Sequence, residues 1–174
     1  TRTVMVTRML TLEIDSPQDK SEITEGSVIV SGTVSDPSAV VTVNGQQAEI
    51  AEDGTFSASA EVNYGENTIT VEATVDGWET ETRTVSVTRI LTMIVTSPYD
   101  GAEVAESPIT ISGFVSDPTA VVTVDGQEAA ITEDGTFSTS AELNSGENII
   151  LVTATVEGQE PVTKTLTVYY IPAE

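Results

Sequence analysis

Carboxylates are by far the most numerous side chains that could do chemistry here. The 174 residues carry 28 Asp and Glu against 6 Lys and Arg, a formal charge of −22. Two acids facing each other across a cleft can hydrolyse a glycosidic bond, at separations of about 5–5.5 Å or 6.5–9.5 Å. Several acids converging through their oxygens can hold Ca²⁺. The groups that complete most other sites are missing. There is no histidine, hence no imidazole base, no usual zinc ligand and no side chain poised to titrate near neutrality. There is no cysteine, which excludes a thiolate metal site and a disulfide framework. No serine string of the nucleophile-elbow type occurs. An enzyme is therefore not expected, and no catalytic residue is assigned. The negative field repels nucleic-acid phosphates and anionic lipid, so neither is expected as a partner. No apolar run approaches the length of a membrane span, and no signal peptide is present in the sequence.

The acids of interest sit in turns. Asp36 precedes Pro37, Asp53 precedes Gly54 and Asp76 precedes Gly77; Asp117, Asp134 and Glu157 stand at the equivalent places later in the chain. With Glu52 and Glu133 beside them, these are the candidate Ca²⁺ ligands, the one cofactor the sequence leaves open. The competing reading is ordinary turn chemistry, in which Asp before Pro or Gly accepts backbone N–H groups. The absence of an EF-hand ligand string favours that reading. An aromatic platform for carbohydrate would have to come from Tyr64, Trp78 and Tyr99, whose repeat partners are Ser145, Gln159 and Gln18. Phe56, Phe114 and Phe137 read instead as core or sheet-packing residues.

What must position these residues is a repeat. At a constant offset of 81 residues, Ser16-Pro17 falls on Ser97-Pro98, Ser31-Gly32 on Ser112-Gly113, and Ser35-Asp36-Pro37 on Ser116-Asp117-Pro118. Asp53-Gly54-Thr55-Phe56-Ser57 recurs from Asp134, and Gly65-Glu66-Asn67 from Gly146. About two-thirds of the positions are identical, which points to a young duplication. Thr3–Arg8 matches Thr84–Arg89 in the same register, so residues 1–8 are expected to be the last strand of a preceding repeat. Module 1 is then 9–89, module 2 is 90–171, and 172–174 is a tail. The natural protein is expected to be longer on its N-terminal side. A lysine crosslink shared by the modules is excluded, because Lys20 and Lys164 fall opposite Gly101 and Arg83.

Inside each module, period-two alternation marks short strands. In module 1 the inward residues are Leu10, Leu12 and Ile14, then Val28, Val30, Gly32 and Val34, then Ala39, Val41 and Val43. Asn44-Gly45 is a type I′ hairpin signal. Ala48 and Ile50, Phe56 to Val62, then Ile69, Val71, Ala73 and Val75, and finally Val85 and Val87 follow. About seven strands, with turns every 8–12 residues and no helical periodicity, predict an all-β chain of two tandem immunoglobulin-like Greek-key β-sandwiches.

The Ser-Pro, Ser-Gly-Thr-Val-Ser-Asp-Pro, Val-Thr-Val-Asn-Gly, Asp-Gly-Thr-Phe-Ser and Gly-Glu-Asn-Thr-Ile-Thr-Val strings resemble the bacterial immunoglobulin-like repeats related to the glucodextranase B domain, over residues 10–89 and 91–170. The resemblance implies a spacer or accessory module in a secreted enzyme, adhesin or cell-wall protein, with an extracellular location and no catalytic motif. The function expected is a non-catalytic structural spacer that presents other domains away from a cell. The alternatives are a module binding polysaccharide or a protein partner, with or without stiffening by Ca²⁺, and an accessory domain of a secreted polysaccharide-active enzyme. The partners expected are neighbouring modules of the same chain. One asymmetry suggests more: outward positions Glu13, Thr68, Thr70 and Thr88 become Ile94, Ile149, Leu151 and Tyr169 in module 2. If the first strand pairs with the last, and the last with the one before it, these four form one apolar stripe for a partner or for self-association. Thr3–Arg8 could also add to a sheet edge of a neighbouring molecule.

Overall fold

The structure is a computed structural model that describes residues 9–173. The expected strand over Thr3–Arg8, its pairing with a neighbour, and Glu174 of the tail lie outside the described residues. The chain divides into two units between Ile90 and Leu91.

The first unit contains β1 (Leu12–Ser16), β2 (Ser21–Ile23), β3 (Ser27–Val34), β4 (Val40–Val43), β5 (Gln46–Gln47), β6 (Glu49–Ile50), β7 (Thr55–Glu61), β8 (Gly65–Thr74) and β9 (Glu81–Arg89). One sheet has the order β1-β3-β7-β6 and the other β2-β9-β8-β4-β5. The second unit repeats this with β10 (Met93–Ser97), β11 (Ala102–Val104), β12 (Ile109–Val115), β13 (Val121–Val124), β14 (Gln127–Glu128), β15 (Ala130–Ile131), β16 (Thr136–Ala141), β17 (Gly146–Thr155) and β18 (Val162–Tyr170). Its sheets run β10-β12-β16-β15 and β11-β18-β17-β13-β14. Each unit is thus a Greek-key sandwich of nine strands where the pattern predicted about seven.

The two extra strands have separate origins. The first predicted strand ends before Pro17 as β1, as β10 ends before Pro98 in the second unit, and an unpredicted strand, β2 or β11, follows the proline. Proline cannot donate to the ladder, so β1 leaves β3, and β2 joins the other sheet in parallel with β9. The segment around Ala48, read as one strand, switches sheets instead. β5 pairs with β4, β6 pairs with β7, and the Ala48 amide donates to the Val41 carbonyl (2.9 Å) between them. This corrects the expected pairing: the first strand lies beside β3, and only β2 meets β9.

The alternation reads the core correctly. Leu10, Leu12, Val30, Val34, Val41, Val43, Phe56, Ile69, Val71, Ala73, Val85 and Val87 are buried, with Ile14, Val28, Ile50 and Val75 packed at the margin. The second unit buries the equivalents, including Met93, Ile111, Val115, Val122, Phe137, Ile150 and Val152. Phe56 and Phe137 are core residues as expected, but Phe114 points outward and is 43% exposed.

The repeated Ser-Gly and Thr-Phe strings turn out to be one contact. Gly32 is the register partner of Phe56, and Gly113 of Phe137. A Cβ on Gly32 would collide with the Glu13 carbonyl and the Phe56 ring; on Gly113, with the Ile94 carbonyl and the Phe137 ring. The ring therefore covers a bare stretch of backbone, and no other residue fits beneath it. Asn44-Gly45 and Asp125-Gly126 adopt the positive φ pair (48° and 81°, 48° and 83°) of the predicted type I′ turn.

Replacing Gly113 by Ala should destabilise the second unit by about 3 kcal/mol through overpacking against backbone, with a matching fall in the denaturant midpoint; an unchanged midpoint would show that the Phe137 contact does not constrain the site.

Candidate functional site

The turn acids of the first unit gather at one end of the sandwich, since β3 and β7 meet at Thr33 and Thr55 there, and β4 and β8 at Val40 and Thr74. They do not converge on a common point. Among the described residues, no group of three or more Asp or Glu is placed to hold a metal ion. The carboxylates are engaged locally instead. Asp36 accepts the Ser38 amide (2.9 Å) and hydroxyl (2.7 Å), and Asp117 accepts the Thr119 amide (2.8 Å) and hydroxyl (2.6 Å). Asp53 accepts the Thr55 amide (3.0 Å) and hydroxyl (2.7 Å), while Asp134 accepts the Thr136 amide (3.0 Å) and the Thr132 hydroxyl (2.5 Å). Asp76 and Glu157 are exposed in the β8–β9 and β17–β18 turns, and Glu52 and Glu133 are exposed beside Asp53 and Asp134. Each bonded Asp closes its own turn, which is the turn chemistry the spacing favoured.

The aromatic candidates are likewise dispersed. Tyr64 stands at the start of β8, half-buried, with the Arg89 guanidinium over its ring at 4.0 Å. Trp78 is at the opposite end and packs against the core. Tyr99 is 71% exposed, between β10 and β11 of the other unit. No two of them share a face of one unit.

The outward apolar residues divide as the corrected pairing requires. Ile94 lies on the β10-β12-β16-β15 sheet, opposite Phe114. Ile149, Leu151 and Tyr169 lie on the other sheet, where Glu147 pairs with Tyr169 and Ile149 with Thr167. One stripe therefore becomes two patches on opposite sheets: an Ile94–Phe114 pair, and a set of three.

Several polar residues with clear work carried only one sequence signal, identity at the repeat offset. Asp19 accepts the Ser86 amide (2.9 Å) and Asp100 the Thr167 amide (2.7 Å), where the chain passes from one sheet to the other. Asn67 accepts the Asn63 amide (2.9 Å), and its own amide donates to the Asn63 and Gly65 carbonyls; Asn148 does the same with Asn144 and Gly146. Ser35 and Ser116 accept the Thr11 and Thr92 amides, both at 3.0 Å.

Two expected outcomes follow from these bonds. Asp100→Ala leaves the Thr167 amide without its partner and should cost about 1–2 kcal/mol, read as a lower denaturant midpoint; no change would mean that water replaces the carboxylate fully. The second concerns acid. The Thr55 amide and then its hydroxyl hold the Asp53 carboxyl below its ordinary value of 3.8. The Thr132 hydroxyl, followed by the Thr136 amide and hydroxyl, does so for Asp134. A folded-state value below the unfolded one contributes stability above the unfolded value, and that stability is lost as pH falls through the folded one. Thermal midpoints should therefore fall on acidification below about pH 4, and less steeply in Asp53→Asn/Asp134→Asn, which keeps the acceptor oxygens but cannot titrate; an identical slope would exclude these carboxylates.

The family model described as glucodextranase, domain B, matches residues 10–89 and again 91–170. The chain is 34% identical over 164 residues to bacillopeptidase F of Bacillus subtilis (strain 168), covering 88% of this chain and 11% of that protein. It is 31% identical over 143 residues to a PII-type proteinase of Lacticaseibacillus paracasei, covering 71% of this chain and 8% of that protein. It thus spans roughly a tenth of the length of these relatives. Among solved structures, it is similar to the fibronectin(III)-like modules of Clostridium thermocellum CbhA, with 19% identity, a TM-score of 0.33, and coverage of 93% of this chain and 94% of that one. With both halves matched nearly end to end, the chain belongs to the glucodextranase domain B family, as two tandem immunoglobulin-like modules.

Proposed function

We propose that this chain is a non-catalytic spacer within a larger extracellular protein, holding neighbouring domains apart and limiting how far they swing. The observation that carries this reading is the link between the units. The Ile90 amide donates to the Ile23 carbonyl of the first unit (2.9 Å), while Leu91 is already buried and the Thr92 amide is bonded to Ser116 of the second. No residue between them is free of both units' bonding or burial, and there is no Gly- or Ser-rich stretch to act as a tether. The strand that reaches this link is also secured in the first unit: Arg89 stacks on Tyr64 and donates to the Thr24 carbonyl at 3.5 Å.

The relatives support an accessory role. This chain aligns with about a tenth of two proteins named as proteinases, and a segment of that size, without histidine or cysteine, has no nucleophile–base pair of the usual kinds. Its high negative charge suits an exposed segment that must remain soluble and avoid non-specific association.

The test is rotational diffusion of the whole chain from ¹⁵N relaxation, compared with a variant carrying a six-residue Gly-Ser insertion between Ile90 and Leu91. The native link should make the two units tumble with closely coupled correlation times, and the insertion should shorten both; equal times with and without the insertion would overturn the spacer reading.

A further inference from the structure

We propose that the outer face of the β11-β18-β17-β13-β14 sheet docks a cationic protein segment that carries apolar side chains between its Lys or Arg residues. The centre of the face is apolar and open. Ile149, Leu151 and Tyr169 are 67%, 46% and 39% exposed. Ile149 and Leu151 are two apart on β17, so both point outward about 7 Å from each other. Tyr169 lies diagonally from Ile149, because Ile149 faces Thr167 on β18, a distance that aromatic side chains span.

The border of the same face is acidic. Glu103 and Glu147 flank Tyr169 from the strands on either side. Across the sheet, Asp125 accepts the Leu151 amide (2.8 Å), and Glu128 is the register partner of Thr123. Lys164 is the one cation between residues 91 and 170. It is the register partner of Val152, on the alternation opposite to Tyr169. Apolar groups ringed by carboxylates are complementary to a segment that supplies both aliphatic surface and positive charge. A second copy of this chain would set the same carboxylates against each other, which disfavours it as the occupant.

The first unit acts as an internal control. It keeps two of the acids, with Glu22 and Glu66 flanking Thr88 as Glu103 and Glu147 flank Tyr169, and has Asn44 and Gln47 in place of Asp125 and Glu128. Its centre is hydroxylated, with Thr68, Thr70 and Thr88 in place of Ile149, Leu151 and Tyr169. The buried positions of the two units meanwhile remain apolar. The difference is thus confined to a surface that packing does not constrain. Exposed apolar side chains gathered on one face of one module carry a solvation cost that contact with a partner relieves.

The probe is a ten-residue peptide alternating Leu and Lys, capped at both ends, with a Ser–Lys peptide of equal charge as control. Binding to the whole chain is measured by fluorescence anisotropy at 0.15 M salt. The Leu–Lys peptide should bind at least about tenfold more tightly than the Ser–Lys peptide, reflecting apolar burial beyond charge. Ile149→Thr/Leu151→Thr should remove that advantage while keeping the native melting profile, since threonine occupies both places in the first unit. Glu103→Gln/Glu147→Gln should weaken binding and flatten its salt dependence. Thr68→Ile/Thr70→Leu should create a second site. Equal affinity for the two peptides, or unchanged affinity in the Ile149→Thr/Leu151→Thr variant, would overturn the proposal. So would sedimentation showing a native dimer that this variant converts to monomer, because the face would then belong to a second copy.

Discussion

Each unit passes between its two sheets five times, as the order of its nine strands requires, and at every passage the backbone must find new partners. Each hydrogen bond made there contributes about 0.5–1.5 kcal/mol, so the rest of the sandwich depends on how these crossings are closed. The repeated polar residues do this work. Asp19 and Asp100 take up the amide exposed where β1 gives way to β2 and β10 to β11. Ser35 and Asp36 hold the passage from β3 to β4, and Asn67 that from β7 to β8. At Ala48 the backbone itself serves, through the Val41 carbonyl. With the crossings closed, the apolar faces of the two sheets are brought together and the alternating strands can bury them.

This division of labour explains which parts of the duplicated sequence stay alike. The crossings and the Gly–Phe contact are each constrained, by an amide closed on one side chain or by backbone too close for a Cβ, and the same residue types stand in both units. Core positions tolerate exchange of similar volume: Leu12 becomes Met93, Val30 becomes Ile111, and Val85 becomes Leu166. The outer faces carry neither constraint, and there threonine and glutamate of the first unit become isoleucine, leucine, phenylalanine and tyrosine in the second. Even the end of each sandwich is closed differently. Arg89 lies against Gly26 and over Tyr64 in the first unit. In the second, Ser107 accepts the Leu143 amide at 2.8 Å, and Tyr170 replaces the arginine.

The abundant carboxylates also separate into kinds. Asp36, Asp53, Asp117 and Asp134 are structural acceptors within their own turns, bonded to amides and hydroxyls two residues away, and Asp19, Asp100 and Asp125 accept amides distant in sequence. The remainder face solvent, where they set the field of the molecule and contribute little to its folding. The ion pair between Arg83 and Glu81 is also at the surface, with Arg83 exposed and Glu81 half-buried. Acid content by itself is therefore a weak signal of a site in this fold.

The duplication, the sandwich class and nearly all of the core are legible in the residues alone, because side chains in a strand alternate between faces and the apolar ones must share the buried face. So is the Asn44-Gly45 turn, since few residue pairs accept two successive positive φ angles. The sequence alone could not determine which strands neighbour each other at the sandwich edge. A short segment after a proline satisfies its alternation equally well in either sheet, and only the amides available on β3 and β9 decide between them. For that reason Ile94 and Ile149 read as one stripe in sequence and lie on opposite sheets in space. Where the turn acids bond was likewise a tertiary question: Asp36, Asp53, Asp117 and Asp134 each had a nearer partner in its own turn, and a hydrogen bond two residues away forms without the entropy cost of gathering distant loops.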